Sequence, residues 1–540
     1  MTKNLFFSII GLLLFSTAIT AQIRTIEHPE YESCNTGSLE INKVEMKDSA
    51  TVLYCDVFNS PNDWIYQTSK CYLKGKSGKI YKFIRSEDFE MDKQVFMPAS
   101  GTVSFKLYME PLDNKETSFD FMDGEKSDQC QILGIKTYKT KSTAPIHCLI
   151  KGEVIDRPQS SRLILMKAGE DTRISARYIT IRNAKFEYEL NCQNLDAYQL
   201  IFFDENQNSS YRPITFFAEP GIVTFKLFPK DRFFENVIEG GKLNGEYTQY
   251  LANRDSLFQF KAREEQINSL ESNNKYFSEV AMNLIKQIEA TKDQHAQDSL
   301  RMLVNKLSDS GEIFTSEAQE LIKRSEEMYL KSRDWELKYI QESKSLVSYF
   351  LLIDRMEGAL GHFKEDLPEC IELYNSMYAK KYPKHPFTEQ MKIKVESFTS
   401  IKVGGSYIDF VAPDFTGQLV RLSEQIKGKV ALIDLWASWC GPCRRTAKSM
   451  IPVYETYKDK GFTIVGIARE SEFENGVNAA QKDQYPWLNL IELKDKGKIW
   501  DKYGVGNGGG GTFLVDKNGI ILAMSPTDEE VKVILDKLLK

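Results

Sequence analysis

Val430-Ala431-Leu432-Ile433-Asp434-Leu435-Trp436-Ala437-Ser438-Trp439-Cys440-Gly441-Pro442-Cys443 is the stretch that decides the reading of this chain. Residues 430–436 read as a buried apolar strand. A helix is expected to start at the Cys-Gly-Pro-Cys and run toward Lys460. Pro442 suits the first helical turn, where a missing N–H has no helical partner to lose. Cys440 then lies at a helix N-terminus, where unpaired N–H groups and the helix dipole favour a negative sulfur. A thiolate is the nucleophile of disulfide exchange. The two-residue spacer brings Cys443 within bonding distance, so Cys440 can attack a disulfide and Cys443 can resolve the mixed product. The reading places Cys440 at an exposed position.

Asp434 sits in the strand before this pair, and on a strand its side chain shares a face with Trp436. Apolar neighbours on both sides favour burial. Burial would raise its pKa and let it exchange a proton with Cys443. A solvated strand-end aspartate is the plain alternative.

Outward from this stretch the pattern from about residue 400 alternates. A second buried strand is expected over 462–468 and helices near 475–483 and 496–503. A strand pair follows over 512–515 and 520–524, turning on Asp516-Lys517-Asn518-Gly519, and then an amphipathic helix over 527–539. Such alternation indicates a central sheet with helices on both faces. The run 504–509 matches G-x-G-x-x-G in letters. It follows a helix and enters a strand, the reverse of a dinucleotide site. It reads as backbone that must come close to something, with the CxxC as the natural neighbour. A CxxC can also be half of a zinc site, but no second CxxC or HxxxH exists, and the five histidines are scattered upstream. No metal and no cofactor is expected.

Upstream, the chain of 540 residues is too long for one core. Residues 1–21 carry Lys3, an apolar run over 5–15 and small residues up to Ala21, the layout of a signal peptide cleaved after Ala21. The run is shorter than the ~20 residues of a spanning helix. Residues 22–143 read as a β-sandwich-like domain, with alternating runs at 38–44, 50–57, 79–84 and 102–109. Residues 144–243 read as a second β-rich domain. Residues 244–400 carry helical spacing with no glycine between Gly245 and Gly311. The fold class is thus multidomain: two β-sandwich-like domains, a helical region and a C-terminal α/β domain. The formal net charge of -6 and the lack of a basic stripe give no reason to expect nucleic acid. Of nine cysteines, seven lie outside the CxxC. Their spacing shows no framework, and buried free thiols are the favoured reading. A Cys55–Cys71 bridge is the open alternative.

The segment 433–443 resembles the thioredoxin active site. Ala412-Pro413-Asp414-Phe415 with Lys427-Gly428-Lys429-Val430 resembles the extracytoplasmic TlpA/ResA-like branch, over about 403–540. The second β block and the helices resemble, more weakly, accessory domains of Bacteroidetes-type envelope proteins. The resemblance implies a thioredoxin-like domain at 401–540, with Cys440 attacking, Cys443 resolving and Asp434 moving protons. The implied substrate-facing surface is Trp439, Gly441, Pro442, Gly510 and Gly511. Three positions depart from the family. Gly510 stands where a cis-proline faces the disulfide. A cis bond before a non-proline costs about 3 kcal/mol, so a different local geometry is expected. Thr446 stands where a glutamate is frequent, and Lys448 where a helix-kinking proline is, with Pro452 one turn on.

The implied function is a disulfide reductase of the periplasm or cell envelope. It would act on protein disulfides and be recharged by a membrane thiol-reducing carrier. A Gly-Pro spacer belongs to reducing thioredoxins, at about −270 mV against about −120 mV for a strong oxidant. The same chemistry run as isomerase or oxidase is the near alternative. A thiol peroxidase is a further one, although 434–439 lacks the Pro-x-x-x-Thr-x-x pattern of that class. A non-enzymatic envelope binding module, with the CxxC as a stabilising disulfide, is the last. Oligomeric state is not legible.

Overall fold

The computed structural model describes residues 24–124, 130–139, 143–172, 176–207, 211–291, 293–361, 364–507 and 509–539. The leader expected over 1–21 lies outside them. Two compact units divide the chain between residues 141 and 142.

The first unit is built on a nine-stranded sheet in which Leu39–Met46, Thr51–Phe58 and Thr102–Met109 lie side by side and antiparallel. Thr102–Met109 alternates buried and open residues, as a strand with one face on a core must. Leu53, Leu107, Phe119 and Phe121 fill that core together with Cys55 and Cys71. Those two thiols are separate, so the Cys55–Cys71 bridge is not formed. Burial pushes the Cys71 thiol up to about 12 and the Cys55 thiol well above its ordinary value.

The second unit begins with two four-stranded sheets. They enclose one core that includes Ile150, Leu165, Leu200, Phe216 and Leu227. Helices follow from Lys242–Phe258 to Pro386–Ser400. A five-stranded sheet then closes the chain. Its strands are β1 (Val430–Trp436), β2 (Phe462–Glu470), β3 (Leu488–Leu493), β4 (Gly511–Val515) and β5 (Ile521–Met524). The spatial order is β3-β2-β1-β4-β5, with β1–β2 and β2–β3 parallel and β4 antiparallel to both neighbours. Asp516 forms the expected turn before β5, where its Oδ1 accepts from Asn518 N–H at 2.8 Å and Ile520 N–H at 2.9 Å.

The helices of this domain are α1 (Gly441–Tyr457), α2 (Phe473–Asp483), the single turn α3 (Ile499–Lys502) and α4 (Asp528–Leu538). Every residue of β1 is buried, because both of its faces are covered. Val430 and Leu432 pack with Met450 and Val453 of α1 and Leu535 of α4. Ala431, Ile433 and Leu435 pack on the opposite side with Leu422, Ile499 and Tyr503. A capping box of Thr527 and Glu530 starts α4.

This domain is docked on the rest of its unit. The helix Pro386–Ser400 packs against α3. Arg469, 3% exposed at the end of β2, reaches Asp171 at 3.2 Å, 298 residues away in sequence, and also pairs with Asp495. A cation this deep is tolerated only with partners of this kind.

Candidate active site

Cys440 is the N-cap of α1, and its Sγ accepts from the Cys443 N–H at 3.3 Å. Cys440 and Cys443 form a disulfide, the only one among the described residues. Gly441 and Pro442 are exposed and Cys443 is half-buried. Cys440 itself is only 4% exposed, which corrects the expectation of an exposed position. The physical reason is local packing. Its side chain joins the apolar cluster of Trp500 and Tyr503, and the half-open ring of Trp439 lies 6.0 Å from that of Trp500.

Gly510 faces the second sulfur. Its N–H donates to Cys443 Sγ at 3.1 Å. A Cβ at this position would lie 1.9 Å from the Leu435 carbonyl oxygen and 3.0 Å from that sulfur. Only glycine fits, and the peptide there is trans, since no cis bond occurs among the described residues. Where the resemblance has a proline with no N–H to give, this chain offers a donor to sulfur. Gly511 is half-buried and stands in the β4 ladder opposite Leu435, with the position of a Cβ 3.2 Å from Val505.

Asp434 is buried in the middle of β1, 3% exposed, so the solvated alternative is set aside. Burial alone pushes its carboxyl up to about 7. It shares a strand face with Trp436, and Cys443 packs on the cluster built around that tryptophan.

Three supports were not read from the sequence. Ser438 donates its N–H and its hydroxyl, the latter at 2.8 Å, to the carboxylate of Glu470. Arg444 in α1 donates to Asp483 at the end of α2 at 2.6 and 2.9 Å and to the Ser438 carbonyl at 3.1 Å. That guanidinium holds the Asp483 carboxyl down at about 2. Arg469 lies over the Trp500 ring. The signal available was the charged pair Arg469-Glu470 directly after an apolar strand. The strand was expected to stop at Ala468 and in fact carries both charges inside. Among the described residues no group of three or more His, Cys, Asp or Glu is placed to hold a metal ion.

A vicinal disulfide-forming pair at a helix N-terminus, on a central sheet of this order with a buried carboxyl beneath, defines a thioredoxin-class dithiol domain. Residues 403–524 match the AhpC/TSA family. The thiol-disulfide oxidoreductase ResA of Geobacillus thermodenitrificans is 30% identical over 143 residues, which is 26% of this chain and 80% of that protein. ResA of Bacillus thuringiensis strain Al Hakam is 32% identical over 145 residues, 26% of this chain and 79% of that protein. Among solved structures, the thioredoxin domain of a thiol-disulfide oxidoreductase from Bacteroides vulgatus is 27% identical. It aligns with 26% of this chain and 100% of its own, with a TM-score of 0.25. Through its C-terminal domain the chain belongs to the ResA family of thiol–disulfide oxidoreductases.

Proposed function

We propose that this enzyme reduces protein disulfides in the cell envelope through Cys440 and Cys443. The observation that carries the reading is the Cys440–Cys443 disulfide at the start of α1, with N–H donors on both sulfurs. In the reduced enzyme the Cys440 thiolate attacks a substrate disulfide, forms a mixed disulfide and expels the first substrate thiolate. Cys443 gives its proton to the Asp434 carboxylate and attacks the Cys440 sulfur, expelling the second. Two electrons pass to the substrate and the enzyme is left oxidised. Asp434, near 7, is well matched to accept that proton at neutral pH. A dithiol carrier in the membrane then reverses the oxidation.

We read residues 22–143, 144–243 and 244–400 as accessory domains around the 401–540 catalytic domain. The leader-like residues 1–21 support export. Among the described residues no helix is long and apolar enough to cross a membrane. The direction of electron flow is tested by the potential of the Cys440–Cys443 couple. A value near about −270 mV is expected, and one near about −120 mV would overturn the reductase reading. A Cys443→Ala variant, which cannot resolve, is expected to retain its natural substrates as mixed disulfides on Cys440.

A further inference from the structure

Three neighbouring strands set Asp434, Gly466 and Asn489 side by side in register, so all three belong to one face of the sheet. The middle position has no side chain. The space it leaves is approached from both sides: a Cβ at Gly466 would lie 2.3 Å from Asn489 Oδ1 and 3.0 Å from Trp436 Nε1. Both of those atoms are buried and neither has a hydrogen-bond partner. Asn489 is 7% exposed and Trp436 0%. The orientation of the amide is held from behind, because Asn489 Nδ2 donates to the Trp487 carbonyl at 3.0 Å. Its oxygen is thereby turned over Gly466, toward the strand of Asp434. A buried acceptor with no donor is destabilising, so the arrangement makes sense only if a donor arrives.

We propose that Asn489 is a positioning residue for Asp434: its side-chain oxygen accepts the O–H of the protonated carboxyl across Gly466, directly or through one water shared with Trp436 Nε1–H. The inference rests on the reading of Asp434 as the proton acceptor for Cys443. When Cys443 releases its proton, the new O–H on Asp434 finds a fixed acceptor, and the neutral carboxyl is favoured over the charged one. Few other groups act on Asp434. Cys443 approaches from α1 and Tyr485 from the segment after α2. Tyr485 donates to Asp483, which is itself paired with Arg444 and Lys448. At this level the strands β2, β3 and β4 present only Gly466, Asn489 and Thr512.

The test is the pH dependence of disulfide reduction by the full chain between pH 5 and 9. Asn489→Ala is expected to move the Asp434 limb down by about half to one pH unit, the worth of one hydrogen bond to the neutral acid. Asn489→Asp places a second carboxyl at the gap and is expected to move the limb up. Asn489→Ser serves in place of the alanine variant if that one does not fold. Opposite shifts of the two variants support the inference. Unmoved limbs, with melting temperature alone changed, would show that Asn489 only fills space and would overturn it. If Asp434→Asn leaves the limb in place, the fault lies instead with the role given to Asp434. An activity-independent readout is the infrared carbonyl stretch of the protonated Asp434 carboxyl. It is expected to rise in frequency in Asn489→Ala, and an unchanged band would count against the bond.

Discussion

Cys440, Cys55 and Cys71 are all nearly out of water, at 4%, 1% and 2% exposure, yet their surroundings differ. Around Cys55 and Cys71 there is a hydrocarbon core, and burial makes their thiolates costly. Around Cys440 and Cys443 there is the start of a helix, with a backbone N–H directed at each sulfur. Cys440 is nearly as buried as the core thiols, so burial alone does not set the two regions apart. What sets the pair apart is its place at a helix N-terminus and the bond between its two sulfurs, whereas Cys55 and Cys71 stand as separate thiols on strands and turns of a core.

The contrast is open to attack by experiment. Its largest expected effect is in alkylation of the reduced, native protein at pH 7. A thiol near 12, as at Cys71, is ionised only to about one part in 10⁵, so the Cys440–Cys443 pair is expected to react at least about a thousandfold faster. Peptide mapping by mass spectrometry measures this, and comparable rates would break the comparison. Next, Cys440→Ser is expected to lower insulin disulfide reduction by about a thousandfold or more, while Cys55→Ala leaves it within about twofold. Loss of activity in both variants would mean that the core thiols take part.

A third effect concerns the proton. Asp434→Asn is expected to slow turnover by about ten- to a hundredfold at neutral pH, read from initial rates. It is also expected to change stability with a definite sign. The carboxyl titrates at about 7 in the fold and near about 3.9 in an open chain, so the folded state binds more protons between those values. Stability is therefore present at low pH and lost as pH rises through about 7. The variant's gain in melting temperature should be larger at pH 8 than at pH 5, and the reverse order would contradict the buried-carboxyl reading. The smallest effect sharpens the other side of the contrast. Cys71→Ala is expected to cost about 1 kcal/mol of stability in denaturant titration, as a small core truncation does, with no change in redox potential.

Local pattern carried much of this into the sequence. The spacing of Cys440 and Cys443, the proline between them and the apolar run before them are short-range signals, and they located the pair, its helix and the strand beneath it. The burial of Asp434 was legible from its flanking residues. Contacts formed between distant segments were not. Nothing near Arg469 in sequence announces Asp171, and a charged pair after an apolar run reads as a strand end when its partners are out of sight. Gly510 was placed by register from β4, but its bond to Cys443 depends on how closely two backbones approach, which composition does not encode. The packing of Trp500 over Cys440 was missed for the same reason.

Position 510 has a further meaning beyond the reaction. Any larger residue would drive a carbon into the oxygen of residue 435, so this route of the loop has a tolerance of one amino acid. Related chains with a bulkier residue at the equivalent place must thread the segment differently. That single character is thus a marker by which sequences sharing this backbone path can be sorted from those that have taken another.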